Sequence, residues 1–209
     1  MGTSRWYVAD AATLDKMLSD APDVRVIAPL GGVPVSCADV RVQARTAHEA
    51  RRELVCDVSQ TGPSACPALG MGADVALVRA LASGRVLVGI GGHAALASCL
   101  DEALEPLGAD EATCALADAD ARVRWRARSD AAQVVASYLA CHPLVAEVRY
   151  LGLRADPSFS VAARTLQGGF GPIVDWRARG DKDAWRRFSA DARDPRDQVL
   201  ELEALLGGR

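Results

Sequence analysis

The sequence predicts an α/β fold, an open sheet followed by a smaller α+β C-terminal domain, on three observations. Short apolar runs, Val24-Arg25-Val26-Ile27-Ala28, Leu54-Val55-Cys56-Asp57 and Val75-Ala76-Leu77-Val78, are each bounded by Gly, Pro or Asp, the signature of buried strands. Stretches with helical spacing alternate with the first of these runs, and a β-α-β order implies parallel strands joined by right-handed crossovers. Beyond Glu105-Pro106-Leu107-Gly108 the chain turns alanine-rich and helical. That break divides it into domains 1–108 and 109–209.

Taken in order, Leu14, Met17 and Leu18 recur at helical spacing between Asp10 and Ala21, and Pro22 ends the run. The strand Val24–Ala28 is stopped by Pro29 and the pair Gly31-Gly32. Ser36, with Asp39 three residues later, resembles a capping box opening a helix through Arg51. The next strand ends in Asp57, and a loop carrying Gly62, Pro63 and Pro67 leads to the strand Val75–Val78. A turn at Ser83-Gly84 precedes the strand Arg85–Ile90, and a helix is expected over about 94–104.

Residues 111–139 are expected to form a long helix. Arg122, Arg124, Arg126 and Arg128 alternate with Val123, Trp125 and Ala127 as a strand would, but Asp118 and Asp120 stand four residues before Arg122 and Arg124, the favourable order for helical ion pairs. The arginines read as a solvated helix face rather than a nucleic-acid patch. Val145–Tyr150 and Ile173–Ala178 are expected strands, and residues 157–167, 181–190 and 195–206 expected helices. The last has Val199, Leu202, Leu205 and Leu206 on one face, for a core or a dimer contact.

Half of the 209 residues are hydrophobic, enough to bury a substantial core, and the net charge of −3 lacks the concentrated positive charge that nucleic acid requires. Six cysteines contain no Cys-x-x-Cys pair and no zinc-like spacing with histidine, so no metal is expected. Reduced thiols and a cytoplasmic location are, with Cys56 and Cys141 in apolar surroundings. Met1–Trp6 contains no apolar signal core, and the apolar stretch over 75–100 is interrupted by Arg79, Arg85 and His93, so no membrane span is expected. Cys141 and His142 are helix neighbours that do not face each other, and His93 stands alone. Asp57 is the chemical candidate, because side chains at the carboxyl ends of parallel strands face the crevice where ligands bind. The competing reading is a turn-former.

The motifs have a familiar order. Ala28-Pro29-Leu30-Gly31-Gly32-Val33-Pro34, Leu54-Val55-Cys56-Asp57-Val58-Ser59, Pro67-Ala68-Leu69-Gly70-Met71-Gly72-Ala73-Asp74, the segment from Tyr138 to Leu153 with its Cys141-His142-Pro143, and Ala162-Ala163-Arg164-Thr165-Leu166-Gln167-Gly168-Gly169-Phe170-Gly171-Pro172 together resemble the cystathionine synthase and lyase family. These are the pyridoxal-phosphate (PLP) enzymes of cysteine and methionine metabolism. The resemblance implies the large-domain sheet of the PLP-dependent aminotransferase-like fold (fold type I) with a small C-terminal domain. It places Asp57 at the position of the pyridinium partner, Ser59 at the nearby hydroxyl, Arg79 at the phosphate-side serine and Ala82 at the Schiff-base lysine.

Catalysis with this cofactor needs a lysine, an acid at the ring nitrogen and donors for the phosphate. The chain contains only Lys16 and Lys182, neither expected to reach a cofactor beside Asp57, and it has no asparagine. Gly31-Gly32-Val33-Pro34 stands where the family carries Ser-Asn-Pro. The family's phosphate loop and ring-stacking tyrosine have no expected counterpart before Met1, and its substrate-carboxylate arginine matches no motif. The expectation is a truncated, degenerate homologue without catalytic residues or bound cofactor, acting as a homodimer or with a full-length family member. The alternative is an enzyme of sulfur amino-acid metabolism that holds PLP non-covalently at Asp57, Ser59 and Arg79, with Arg79 as a bidentate phosphate donor.

Overall fold

Four strands carry the buried side chains Tyr7, Val55, Val75, Leu77, Val86 and Val88, and they define the first of two units. In the computed structural model, residues 5–21, 23–80, 84–91, 105–106, 119–181 and 184–207 are described. The first unit comprises Met1–Pro29 with Ala38–Asp118, the second Leu30–Cys37 with Ala119–Arg209. The division expected after residue 108, the helix expected over 94–104, and Ala82, His93 and Lys182 lie outside the described residues.

The first unit begins with strand β1 (Arg5–Asp10), helix α1 (Ala11–Asp20) and strand β2 (Val24–Ile27). The short strands β3 (Leu30–Gly31) and β4 (Ser36–Cys37) belong to the second unit. Helix α2 (Val40–Glu49), strands β5 (Glu53–Asp57), β6 (Val75–Ala80) and β7 (Arg85–Ile90), and the two-residue β8 (Glu105–Pro106) follow, with a short 3-10 helix at Ala68–Met71. The sheet order is β2-β5-β6-β7-β1-β8. Strands β2, β5 and β6 are parallel, as the alternation predicts. Beyond β6 the sheet turns antiparallel: β7 runs antiparallel to β6, as the short connection between them requires, and β1 runs antiparallel to β7.

Strand β1 is absent from the sequence reading and pairs with β7 from Arg5↔Ile90 to Asp10↔Arg85. It buries Tyr7 and Ala9 on one face. Asp10 then caps α1, accepting the Thr13 backbone N–H at 3.0 Å. Leu14 is wholly buried against the sheet, a burial that contributes about 1.5–3 kcal/mol. The start of α2 is also corrected: Asp39 is itself the cap, accepting from Val42 N at 3.2 Å, while Ser36 lies in β4 and donates to the Gly31 carbonyl.

The second unit adds helix α3 (Ala119–Cys141), strand β9 (Val145–Arg149), helix α4 (Phe159–Thr165), strands β10 (Ile173–Ala178) and β11 (Arg186–Ser189), and helix α5 (Pro195–Gly207). Its antiparallel sheet has the order β11-β10-β9. Along α3, Trp125, Ser129, Ala132, Ala136 and Leu139 are buried, whereas Arg122, Arg124, Arg126 and Arg128 are exposed, so the helical reading holds.

Within the expected helix over 181–190, the described residues Arg186–Ser189 instead form β11. Phe188 packs against the core, and its neighbour Arg187 pairs across the strand with Asp175, so period-two burial and a charged partner decide the segment. On α5, Leu202 and Leu206 are buried, but Leu205 is 68% exposed, which narrows the expected stripe. Cys56 is buried as expected; Cys141 is exposed, because it closes the last turn of α3 on the solvent side.

Candidate functional site

Asp57 is the last residue of β5, opposite Leu77 in the parallel register. Side chains alternate along a strand, so Arg79, two residues beyond Leu77 on β6, lies on the same face as Asp57. The chain leaves β5 with Val58 N donating to the Leu77 carbonyl at 2.9 Å, and this brings Ser59 back over the strand end. The sequence candidates Asp57, Ser59 and Arg79 therefore meet.

One Asp57 oxygen, Oδ1, accepts the Ser59 backbone N–H at 3.0 Å and the Ser59 hydroxyl. The other, Oδ2, accepts Arg79 Nε at 3.1 Å. Ser59 Oγ in turn accepts the Arg79 backbone N–H at 2.8 Å. The two terminal nitrogens of Arg79 donate to Asp15 of α1, Nη2 to Oδ1 at 2.7 Å and Nη1 to Oδ2 at 3.3 Å. Asp15 is a partner the sequence reading missed; its position one turn along a helix that packs on the sheet is the only signal for it.

The hydrogen bond to Asp15, followed by that to Asp57, holds the Arg79 guanidinium protonated above its ordinary range, against the opposing effect of partial burial. One guanidinium faces two carboxylates, which leaves one negative charge in excess. Lys16, the only lysine among the described residues, is exposed on α1.

The donor set can be tested against pyridoxal phosphate. That group would need a free acceptor on Asp57 for its ring nitrogen, an amine for its aldehyde and unengaged cationic donors for its phosphate. Here both Asp57 oxygens have partners, and the Arg79 side chain donates to carboxylates through all three nitrogens. The residues present do not fit the cofactor.

Other marked residues are structural. Asp74, from the Gly-Ala-Asp motif, accepts Leu54 N at 2.7 Å and lies 2.8 Å from His48 Nε2, tying α2 to the sheet. The ring of His142 lies 5.6 Å from that of Tyr138 and its Nε2 3.5 Å from Glu203, with Nδ1 accepting Leu144 N. Gly31-Gly32-Val33-Pro34 forms the β3–β4 hairpin. Wholly buried Asp175 accepts Val35 N at 2.6 Å and binds Arg187 through both oxygens, at 2.8 and 2.7 Å, while Arg187 also donates to the Gly32 carbonyl. Among the described residues no group of three or more His, Cys, Asp or Glu could hold a metal ion. No helix among them is long and apolar enough to cross a membrane.

These two units are a mixed α/β sheet with its helices and a small antiparallel sheet with helices packed on it, and solved structures share the fold. Apo CalE6, a methionine gamma lyase from Micromonospora echinospora, superposes with a TM-score of 0.70 at 20% identity, covering 89% of this chain and 64% of its own. Cystathionine gamma synthase from Xanthomonas oryzae pv. oryzae, in complex with aminoacrylate and cysteine, gives 0.71 at 19% identity, covering 94% and 66%. The fold is that of the PLP-dependent cystathionine synthase and lyase enzymes, over about two thirds of their length.

Sequence comparison adds a likeness over part of the chain. The Cys/Met metabolism PLP-dependent enzyme family matches residues 120–193. Cystathionine gamma-synthase of Mycobacterium tuberculosis is 37% identical over 86 residues, 41% of this chain and 21% of the relative. O-succinylhomoserine sulfhydrylase of Pseudomonas aeruginosa is 37% identical over 67 residues, 32% and 16%. The likeness to this family is therefore carried by residues 120–193, and the chain spans about a fifth of the length of the curated relatives it matches. Asp57, Ser59 and Arg79 lie outside that matched segment.

Proposed function

We propose that this chain is a non-catalytic homologue of the cystathionine synthase and lyase enzymes, lacking their Schiff-base lysine and working in the cytoplasm by association with a second copy or with a full-length family member. The observation that carries the reading is the lysine inventory. Lys16 and Lys182 are the only two, Lys16 lies exposed on the opening helix, and the residue that resembles the family lysine by position is Ala82. The sulfur chemistry named for the relatives then has no lysine at the matching position through which to begin.

Association is supported by the free end of the first sheet. Among the described residues β2 pairs only with β5. None of its four residues is buried, and Val26 is 51% exposed. A parallel strand is ordinarily covered on both faces, and an edge strand that exposes Val26 beside Arg25 offers its unpaired backbone groups to another chain.

Sedimentation velocity of the purified chain across a wide concentration range tests the reading. A species of twice the monomer mass, or a complex with an added full-length family member, is expected, and Val26→Lys is expected to weaken it. A monomer throughout, alone and in the mixture, would remove the association half. Turnover of a sulfur amino acid by the purified chain would remove the non-catalytic half.

A further inference from the structure

We propose that the Arg79 guanidinium has replaced a cofactor's pyridinium as the counter-ion of Asp57, so that this acid serves as an internal cross-brace of the first unit and excludes pyridoxal phosphate. The inference goes beyond the association reading and stands without it, because it concerns one cluster inside one unit.

Four segments meet at Arg79. Its Nε holds the end of β5 through Asp57, its terminal nitrogens hold α1 through Asp15, and its backbone N–H holds the loop after β5 through Ser59. A pyridinium arriving at Asp57 would gain one charge-assisted hydrogen bond only by breaking another of the same kind, and it would leave without its acceptor the Nε of a guanidinium whose side chain is 27% exposed. A phosphate arriving at Arg79 would meet two carboxylates already in place, and like charge opposes it. Ser59 offers no remaining hydroxyl donor, because its proton goes to Asp57. The arrangement is complete without a ligand.

The test is a titration of the intact chain with pyridoxal phosphate, read by melting temperature and by induced circular dichroism of the cofactor, alongside Arg79→Ala, Asp57→Asn and the double variant. The wild-type midpoint is expected to stay unchanged, with no induced dichroism. Arg79→Ala is expected to lower the midpoint by about 2–8 °C. The double variant should fall little further than the worse single one, because both changes remove the same bond.

A wild-type midpoint that rises with pyridoxal phosphate, by about 5–10 °C at a hundredfold excess over the dissociation constant, and no longer does so in Asp57→Asn, would overturn the proposal. Strictly additive losses from the two single variants would overturn the cross-brace. Should the variants fail to fold, induced dichroism in the wild-type titration decides alone.

Discussion

A carboxylate or hydroxyl in this protein is defined by what it faces. Tyr150 is wholly buried, and its hydroxyl donates to the Ser129 carbonyl at 2.9 Å. Burial first, then the Asp130 charge, raises its pKa well above the ordinary 10.0. The folded chain therefore keeps this proton to higher pH than the unfolded chain does. Stability from this group is fully present below about pH 10 and falls as pH rises beyond it, by up to 1.4 kcal/mol per unit. Tyr150→Phe is expected to flatten that alkaline limb while losing about 1 kcal/mol at neutral pH. Urea unfolding of both proteins between neutral pH and pH 11 checks it, and parallel profiles would discard this assignment. At the same scale the sequence disclosed Asp57, because an apolar run that ends abruptly in an acid is visible along the chain. It hid Asp175, whose partner Val35 is 140 residues away, and Asp15, whose role exists only once α1 lies on the sheet.

Elements were legible in proportion to how local their causes are. Helices α1, α2 and α3 and strands β2, β5, β6 and β10 follow from caps, periodicity and apolar runs within one segment. Strand β1 was invisible because its short alternation gains meaning only beside β7, and β11 was misread because Arg187 looks solvent-facing until Asp175 is set opposite it. The glycine-rich entry to β10 shows the same dependence. Gly169 has φ +142°, and a Cβ there would stand 2.5 Å from the Ser129 Cβ on α3. Gly169→Ala is therefore expected to destabilise by about 1–3 kcal/mol, whereas Gly31→Ala, with nothing within 4 Å of its added Cβ, should stay within about 0.5 kcal/mol. Denaturant midpoints of the two variants make the comparison, and equal losses would contradict the close packing argued for this loop.

At the scale of the whole molecule, the fold class was readable because the order of apolar runs and helical stretches survives even where individual residues have changed. The topology of the first sheet was not, since the sequence does not announce which neighbour a strand chooses. The composition of the second unit was equally hidden: it takes Leu30–Cys37 from early in the chain and the rest from Ala119 onward. A fragment of residues 119–209 would bury Asp175 with Arg187 but without the Val35 N–H. It is expected to unfold at lower urea than the second unit does within the intact chain, and an equal midpoint would mean that the hairpin contributes nothing to stability. The same arrangement has a consequence for synthesis. The hairpin leaves the ribosome before the strand that receives it, so a nascent chain must carry Val35, wholly buried in the fold, unsheltered for 140 residues of synthesis before Asp175 exists.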